Sequence, residues 1–244
     1  KACASECPSN VDVAALKSEF LYQYQEENGY SFRNTMFANN VKYNKIGSLV
    51  PSLTNLVLNT YLTKFIMGIS QKRSVPKLTP KTLKSWYKKQ THSSSKKIVY
   101  VFCDEFTNFY DTEIGIDTIT VLKRLGYNPT FVKHQESGRS FISKGFLKEA
   151  KAIANKNVSI FKKIISEETP LIGIEPSAIL TFKDEYIRLA DDKNSAAKIS
   201  KHTFTTEEFL QREFDSGNIK SNQFSSKEKL IKIHGHCHQK ALSS

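Results

Sequence analysis

Residues 98–108 read IVYVFCDEFTN, an apolar run followed at once by polar and acidic side chains. The run from Ile98 to Phe102 is β-branched and aromatic, which is typical of a buried strand. In an open α/β sheet, the side chains that follow a buried strand are positioned for chemistry. The stretch therefore predicts a strand and, at Asp104, the beginning of a candidate site.

The sequence after this strand alternates between strand-like and helix-like patterns. Strands are predicted at residues 129–132, 171–174 and 230–233, and helices at residues 116–125, 147–165, 180–189 and 205–215. The last of these helices begins with a capping box from Thr205 to Glu208. Alternation of this kind favours an α/β fold with a mainly parallel sheet and helices on both faces.

The first part of the chain is expected to form a small helical subdomain over residues 1–70. Apolar residues recur at helical spacing between residues 9 and 27, namely Val13, Leu16, Phe20 and Tyr24. Ser9 and Asp12 are the candidate caps of this helix. The longest apolar region, residues 46–69, is interrupted by Pro51 and by polar residues, so we expect a buried helix there and no membrane span.

Residues 71–96 are rich in Lys, Ser, Thr and Pro and are predicted to link this subdomain to an α/β domain at residues 97–244. Trp86 and Tyr87 within the linker are expected to dock on a neighbouring domain, which would order it. Net charge is +12, but the lysines are spread over the whole length without an aromatic stacking platform. This distribution favours a solvated surface over nucleic-acid binding.

The segment HGHCHQKAL at residues 234–242 places three histidines and a cysteine after the strand predicted at 230–233. Imidazole and thiolate are ligands of zinc and iron, although one such segment supplies at most part of a coordination shell. The candidate ligands of a divalent metal are therefore His234, His236, Cys237 and His238. A histidine-rich surface loop is the alternative interpretation.

Loops after parallel strands lie at the same edge of the sheet, whatever the strand order. Besides the histidine segment, these loops carry the candidate catalytic residues Asp104, Arg139 and Glu175. Together they could bind a divalent metal, or an anionic group through Arg139 and the helix start beside it. We predict that they converge on one cleft, where Glu175 is hydrogen-bonded to Arg139, to an ion or, preferably, to His236 or His238.

The chain has four cysteines among 244 residues, too few for a disulfide framework, so we expect a reducing, cytoplasmic compartment. Residues 3–8 read CASECP, the closing half of the ferredoxin run C-x2-C-x2-C-x3-C-P. The preceding cysteine of that run would fall directly before Lys1, so we expect the chain to be cut inside the motif. Cys3 and Cys7 are then candidate cluster ligands, but without the missing half we expect no 4Fe-4S cluster in this chain alone.

Four longer motifs follow the cysteine motif along the chain: DEFTNFYDTEIG at 104–115, SGRSFISKGFLKEAK at 137–151, GIEPSAILTFKDEY at 173–186, and HGHCHQKAL at 234–242. Together with the cysteine motif they resemble the C-terminal iron–sulfur part of FAD-linked D-2-hydroxy acid dehydrogenases of the D-lactate or glycolate oxidase type. These are related to the cysteine-rich CCG domains of heterodisulfide reductase and of anaerobic glycerol-3-phosphate dehydrogenase.

The resemblance implies that a preceding flavin domain binds FAD and oxidises the hydroxy acid. Electrons then pass through iron–sulfur centres to an acceptor, a quinone or a redox protein, and the full-length protein could sit peripherally at a membrane. The chain departs from its cysteine-rich relatives at Glu136-Ser137, where they have paired cysteines, and at Ala178, where some have a cysteine. We therefore expect cluster binding to be lost in the first half of the α/β domain.

Two functions of other classes remain open at this point. A metal-dependent hydrolase would use the histidine cluster and Glu175 on a zinc-activated water. It requires a complete three-ligand site within this chain, whereas the electron-transfer hypothesis predicts an incomplete one. The hypothesis of a nucleic-acid or partner-binding module is supported by the net charge alone. It requires the lysines to cluster on one face of the protein.

Overall fold

The computed structural model describes residues 7–9, 11–91, 95 and 97–242, so the prediction of Cys3 as a ligand lies outside the described residues. Four strands of this part form one parallel sheet in the order β2-β1-β3-β4. They are β1 (Ile98–Phe102), β2 (Asn128–Thr130), β3 (Leu171–Gly173) and β4 (Thr203–Thr205). Tyr100 of β1 is in register with Thr130 on one side and with Leu171 on the other. Strand β2 is added on one side of β1, and β3 and β4 are added on the other side, so the strand order reverses between β1 and β3. Open α/β sheets form their ligand crevice at such a point.

Helices precede, connect and follow the strands. Before the sheet they are α1 (Val13–Asn28), α2 (Phe32–Ala38), α3 (Asn40–Gly47), α4 (Pro51–Leu58), α5 (Tyr61–Ile66) and α6 (Leu83–Tyr87). Between the strands they are α7 (Glu105–Phe109), α8 (Thr112–Arg124), α9 (Arg139–Ser143), α10 (Leu147–Phe161), α11 (Pro176–Ile179), α12 (Glu185–Leu189) and α13 (Lys193–Lys201). After β4 come α14 (Thr206–Asp215), a 3-10 turn (Ser221–Gln223) and α15 (Cys237–Leu242).

Both faces of the sheet are covered, as predicted. Successive side chains of a strand point to opposite faces, so Phe102 packs with the α10 residue Phe161 on one face. Val99 and Val101 pack with Leu122 of α8 and Phe209 of α14 on the other face. The α/β fold with a parallel sheet and helices on both faces is therefore confirmed.

The strand predicted at residues 230–233 is wrong. Leu230 and Ile233 are 92% and 89% exposed, and these residues form neither strand nor helix. The fourth strand is Thr203–Thr205, which pairs with β3 directly before the helix that begins with the capping box. Because β4 already occupies the free edge of β3, the later apolar run has no place beside it in the described sheet.

Two further predictions differ from the structure in this region. Of the helix predicted at residues 180–189, only α12 is helical, because residues 180–184 form turns between α11 and α12. Helix α13 did not emerge from the sequence pattern at all. Helix α14 does begin with the predicted capping box, since Thr205 and Glu208 exchange both bonds.

The N-terminal helices expose the apolar side chains that were expected to be buried. Helix α1 is capped by Asp12 as predicted, yet the side chains of its apolar stripe, Val13, Leu16, Phe20 and Tyr24, are between 51% and 66% exposed. The buried helix expected within residues 46–69 is also wrong, because α4 has no buried residue and most apolar side chains of α4 and α5 are exposed.

Helix α1 instead turns polar side chains toward the α/β part of the chain. The amide of Gln25 donates to the Lys144 carbonyl oxygen at 2.9 Å, and Lys148 forms an ion pair with Glu26 at 2.5 Å. Spacing alone identified an amphipathic helix, but the neighbouring segment decided which face it packs against.

Trp86 and Tyr87, within the segment predicted to be a linker, pack against a neighbouring part of the chain as expected. Tyr87 is buried and donates its hydroxyl to the Pro129 carbonyl oxygen at 2.8 Å, and Trp86 packs against the same cluster. Among the described helices, none has both the length and the apolar character needed to cross a bilayer.

Candidate functional site

Asp104 follows β1 and caps the start of α7. Its carboxylate accepts hydrogen bonds from the backbone N–H groups of Phe106 and Thr107 and from the Thr107 hydroxyl, at 2.7–2.9 Å. Burial and the neighbouring charge of Glu105 raise the pKa of Asp104 to about 7. Asp104 is thus a buried carboxyl group that titrates near neutral pH at the carboxyl edge of the sheet.

Glu105 joins the loop after β1 to the loop after β2. Its buried carboxylate accepts from the Ser137 backbone N–H at 3.0 Å and from the Ser137 hydroxyl. Burial raises the pKa of Glu105, and the bonds from Ser137 oppose that rise. Gly138, with a φ of 74°, then turns the chain into α9, a conformation that favours glycine.

Arg139 is the first residue of α9 and connects three segments. Its Nε donates to the Ser177 carbonyl oxygen at 2.9 Å, in the segment after β3. Its Nη1 lies 2.7 Å from Oε1 of Glu185, the first residue of α12. Since the Glu185 side chain is 4% exposed, Arg139 places a compensating charge where an unpaired carboxylate would be costly.

Glu175 caps α11 and does not form the expected pair. Its carboxylate accepts from the Ser177 hydroxyl at 2.5 Å and from the Ala178 N–H at 2.8 Å. The hydrogen bonds described for Glu175 include none to Arg139 or to a histidine, so the expected pairing is wrong. A carboxylate directly before a helix satisfies the free N–H groups of its first turn. The charge of Glu175 still contributes to raising the pKa of Asp104 and of Glu105.

Only part of the histidine segment reaches this region. His238 of α15 is buried, and its Nε2 lies 3.4 Å from Asp184 Oδ2 and 3.9 Å from Glu185 Oε2. His236 is half-buried, and its Nδ1 accepts from the His238 backbone N–H at 3.2 Å. The other two predicted ligands, His234 and Cys237, are exposed.

One group of possible metal donors forms in the described part of the chain, and it comprises Asp184, Glu185 and His238. One ligand atom from each lies within 4.8 Å of the others. Of this group, only His238 was predicted from the sequence. The two carboxylates lie within the motif at residues 173–186, and their adjacency at a helix start was the signal that could have found them.

The described cysteines do not supply a ligand set for an iron–sulfur cluster. The donor group found among residues 7–242, apart from the gaps in the description, contains no cysteine. Cys103 is buried, which raises the pKa of its thiol to about 12 and keeps it protonated.

Arg139 and Glu185 also line a cleft of about 540 Å³ between α1 and the helices α9, α10 and α12. Apolar side chains of these helices, among them Leu16, Leu147 and Leu189, form much of its wall. The polar network of the sheet edge is thus adjacent to a largely apolar cleft.

Two further titratable groups lie in the loop after β2, where His134 is buried and Glu136 is partly buried. Burial, reinforced by the charge of Glu105, raises the pKa of Glu136 to about 7. Burial lowers the pKa of His134 to about 3, and its ring stacks on Phe102 with centroids 4.3 Å apart. A neutral, stacked imidazole of this kind is a core residue, and no role was predicted for it from the sequence.

Comparison with known proteins finds dehydrogenases. The chain is 27% identical to a D-2-hydroxyglutarate dehydrogenase of Pantoea ananatis over 202 residues, which is 76% of this chain and 20% of that protein. It is 24% identical to the Haemophilus influenzae protein of the same name over 236 residues, or 90% of this chain and 22% of that protein.

One subunit of the anaerobic glycerol-3-phosphate dehydrogenase of Escherichia coli is 24% identical over 173 residues, covering 69% of this chain and 43% of that polypeptide. The chain thus spans about a fifth of the length of the D-2-hydroxyglutarate dehydrogenases that it matches. No protein-family model matches the sequence, and no solved structure matches it. The chain is thus similar to parts of dehydrogenases over most of its own length.

Proposed function

We propose that this chain is the electron-transfer part of a flavin- and iron–sulfur-dependent D-2-hydroxy acid dehydrogenase. Hydroxy acid oxidation and FAD belong, in this proposal, to a flavin domain in the rest of a longer protein, from which electrons pass to a quinone or redox-protein acceptor. Cys3 and Cys7 would join ligands outside this chain.

The similarity to D-2-hydroxyglutarate dehydrogenases over 76% and 90% of the chain carries this proposal. The matched region is 20% of one of these relatives and 22% of the other, so most of their length lies outside it. A substrate-oxidising domain in that remainder is consistent with the names of the relatives. The buried residues at the sheet edge would then position segments, with Asp104 and Glu175 holding helix starts and Arg139 joining three segments.

The exposed stripe of α1 supports docking against the rest of the longer protein. The helix buries Ser18 and Gln25 but exposes Leu16 and Phe20 by 59% and 66%. Leaving apolar side chains in water forgoes on the order of 1.5–3 kcal/mol for each large one that could be buried. Contiguous apolar patches of this kind mark interaction surfaces, and the large additional length of the relatives supplies a partner.

The test uses the complete polypeptide that contains this chain. Bleaching of the flavin absorption is measured with D-2-hydroxyglutarate, D-lactate and glycolate, and reduction of a quinone analogue is measured separately. We expect one of these acids to bleach the flavin. A complete polypeptide that binds no flavin, or whose flavin none of these acids reduces, would overturn the proposal.

A matched pair of variants tests the docking surface. Phe20→Lys places a charge in the apolar stripe, whereas Gln23→Lys places the same charge at an exposed polar position of the same helix. We expect Phe20→Lys to slow quinone reduction at least tenfold while flavin bleaching survives, and Gln23→Lys to change neither. Equal effects of the two variants would contradict docking through α1.

A further inference from the structure

Asp184 and Glu185, the two carboxylates of the donor group, each direct one oxygen toward an arginine and the other toward His238. Asp184 accepts from Arg188 Nη2 through Oδ1 at 3.1 Å and turns Oδ2 toward His238 Nε2 at 3.4 Å. Glu185 turns Oε1 toward Arg139 at 2.7 Å and Oε2 toward the same Nε2 at 3.9 Å. Two carboxylate oxygens and one imidazole nitrogen therefore face a common point.

The imidazole nitrogen at this point has no hydrogen-bond partner. His238 is 3% exposed, and its Nε2 makes no hydrogen bond within the described residues. Buried polar atoms are normally satisfied, since leaving one without a partner costs about 1–3 kcal/mol. An imidazole nitrogen without a hydrogen-bond partner that faces two carboxylate oxygens is a donor arrangement that suits a cation.

We propose that Asp184, Glu185 and His238 bind a divalent transition-metal ion. One imidazole and two carboxylates form a mixed N and O set that suits Zn²⁺, Mn²⁺, Fe²⁺ or Co²⁺, and three protein ligands leave room for water. Arg139 and Arg188 act as the orienting partners that hold each carboxylate in place. Of the predicted ligands His234, His236, Cys237 and His238, the site uses only His238, and it does not depend on the proposed dehydrogenase function.

The ion would fasten the end of the described chain to its body. Helix α15 carries His238, whereas Asp184 and Glu185 lie at the start of α12. The connection between them includes residues 224–233, which are exposed and form neither helix nor strand. A metal bound here would therefore reduce the opening of α15 away from the α/β part.

The experiment must separate this site from the exposed donors of the same segment. The triple variant His234→Gln, His236→Asn and Cys237→Ser removes those donors, and Asn at position 236 retains an acceptor for the His238 N–H. The 244-residue chain in this background is stripped with a chelator and titrated with Co²⁺, which reports ligation by visible absorption, and with Zn²⁺ by calorimetry. We expect one equivalent of each ion to bind.

Adding His238→Gln to this background should weaken Co²⁺ binding at least 100-fold, and Asp184→Asn should also weaken it strongly. Glu175→Gln is the matched control, because Glu175 is a nearby carboxylate outside the donor group, and it should leave the affinity unchanged. Circular dichroism establishes whether each variant is folded. If His238→Gln does not fold, the effect of Asp184→Asn on Co²⁺ affinity tests the site by itself.

Limited proteolysis provides a second readout. Cleavage within residues 224–233 should slow when metal is added to the triple variant and should not respond to metal once His238 or Asp184 is replaced. Three results would each overturn the proposal: binding lost in the triple variant, binding unchanged by His238→Gln or Asp184→Asn, or no binding at all.

Discussion

Replacing Glu136 by Gln should stabilise the protein at neutral and alkaline pH. Oε2 of Glu136 is buried without a hydrogen-bond partner among the described residues, and burial raises the pKa of this carboxyl group from 4.5 to about 7. A difference of about 2.5 pH units corresponds to roughly 3.5 kcal/mol at about 1.4 kcal/mol per unit. Because the side chain is only partly buried, we reduce the expected gain to about 2 kcal/mol.

The sign follows from the protons held in each state. Between pH 4.5 and about 7 the folded protein retains a proton on Glu136 that the unfolded chain releases. Stability contributed by this group therefore falls as pH rises through that window, and the full cost of the buried charge is present above pH 7. Gln cannot ionise, so the variant avoids this cost while it retains a side chain of similar shape.

Urea unfolding of the wild type and of Glu136→Gln at pH 5, 6, 7 and 8 measures the effect. The difference in unfolding free energy should be small at pH 5 and reach about 2 kcal/mol in favour of the variant at pH 8. Glu228→Gln, at an exposed position, is the control for loss of one negative charge and should show no such trend. A gain that is equal at pH 5 and pH 8, or a variant that is less stable at pH 8, would refute the reasoning.

Three further substitutions test the fold around the site. Arg139→Met should lower the unfolding free energy by about 3 kcal/mol, because Glu185 loses the cation that lies 2.7 Å away in a buried setting; chemical denaturation measures this, and no loss would contradict the pairing. Gly173→Ala should destabilise by more than about 2 kcal/mol, since an added Cβ would meet the Ile179 side chain at 2.3 Å; an unchanged melting temperature would show that the contact relaxes freely. Thr205→Ala removes one half of the capping box of α14 and should cost about 1 kcal/mol, whereas Thr205→Ser should restore most of that stability.

The candidate site could be located from the sequence more easily than its contacts could be assigned. Because the carboxyl ends of parallel strands share one edge, the loops at Asp104, Arg139 and Glu175 were expected to converge. Hydrogen bonds do join the segments after β1, β2 and β3. The partner of Arg139 was not predictable in the same way. Its carboxylate, Glu185, begins a helix beyond a series of turns whose path no sequence period encodes.

The sequence by itself determined those strands, helices and helix starts that depend on nearby residues. Buried β-branched runs specified β1 and β3, an apolar stripe specified α10, and the capping groups Asp12 and Thr205 fixed helix starts through hydrogen bonds that span three residues. These features depend on neighbours along the chain, so spacing is sufficient to predict them.

Only the tertiary structure decided which surfaces those elements cover. The three-residue strand Thr203–Thr205 is too short to show a period and exists because its backbone pairs with β3. The more apolar run at 230–233 pairs with no strand of the described sheet and is exposed. Helix α1 packs its polar side because Gln25 finds a backbone carbonyl oxygen there. Burial depends on which segments meet in space, and local sequence does not contain that information.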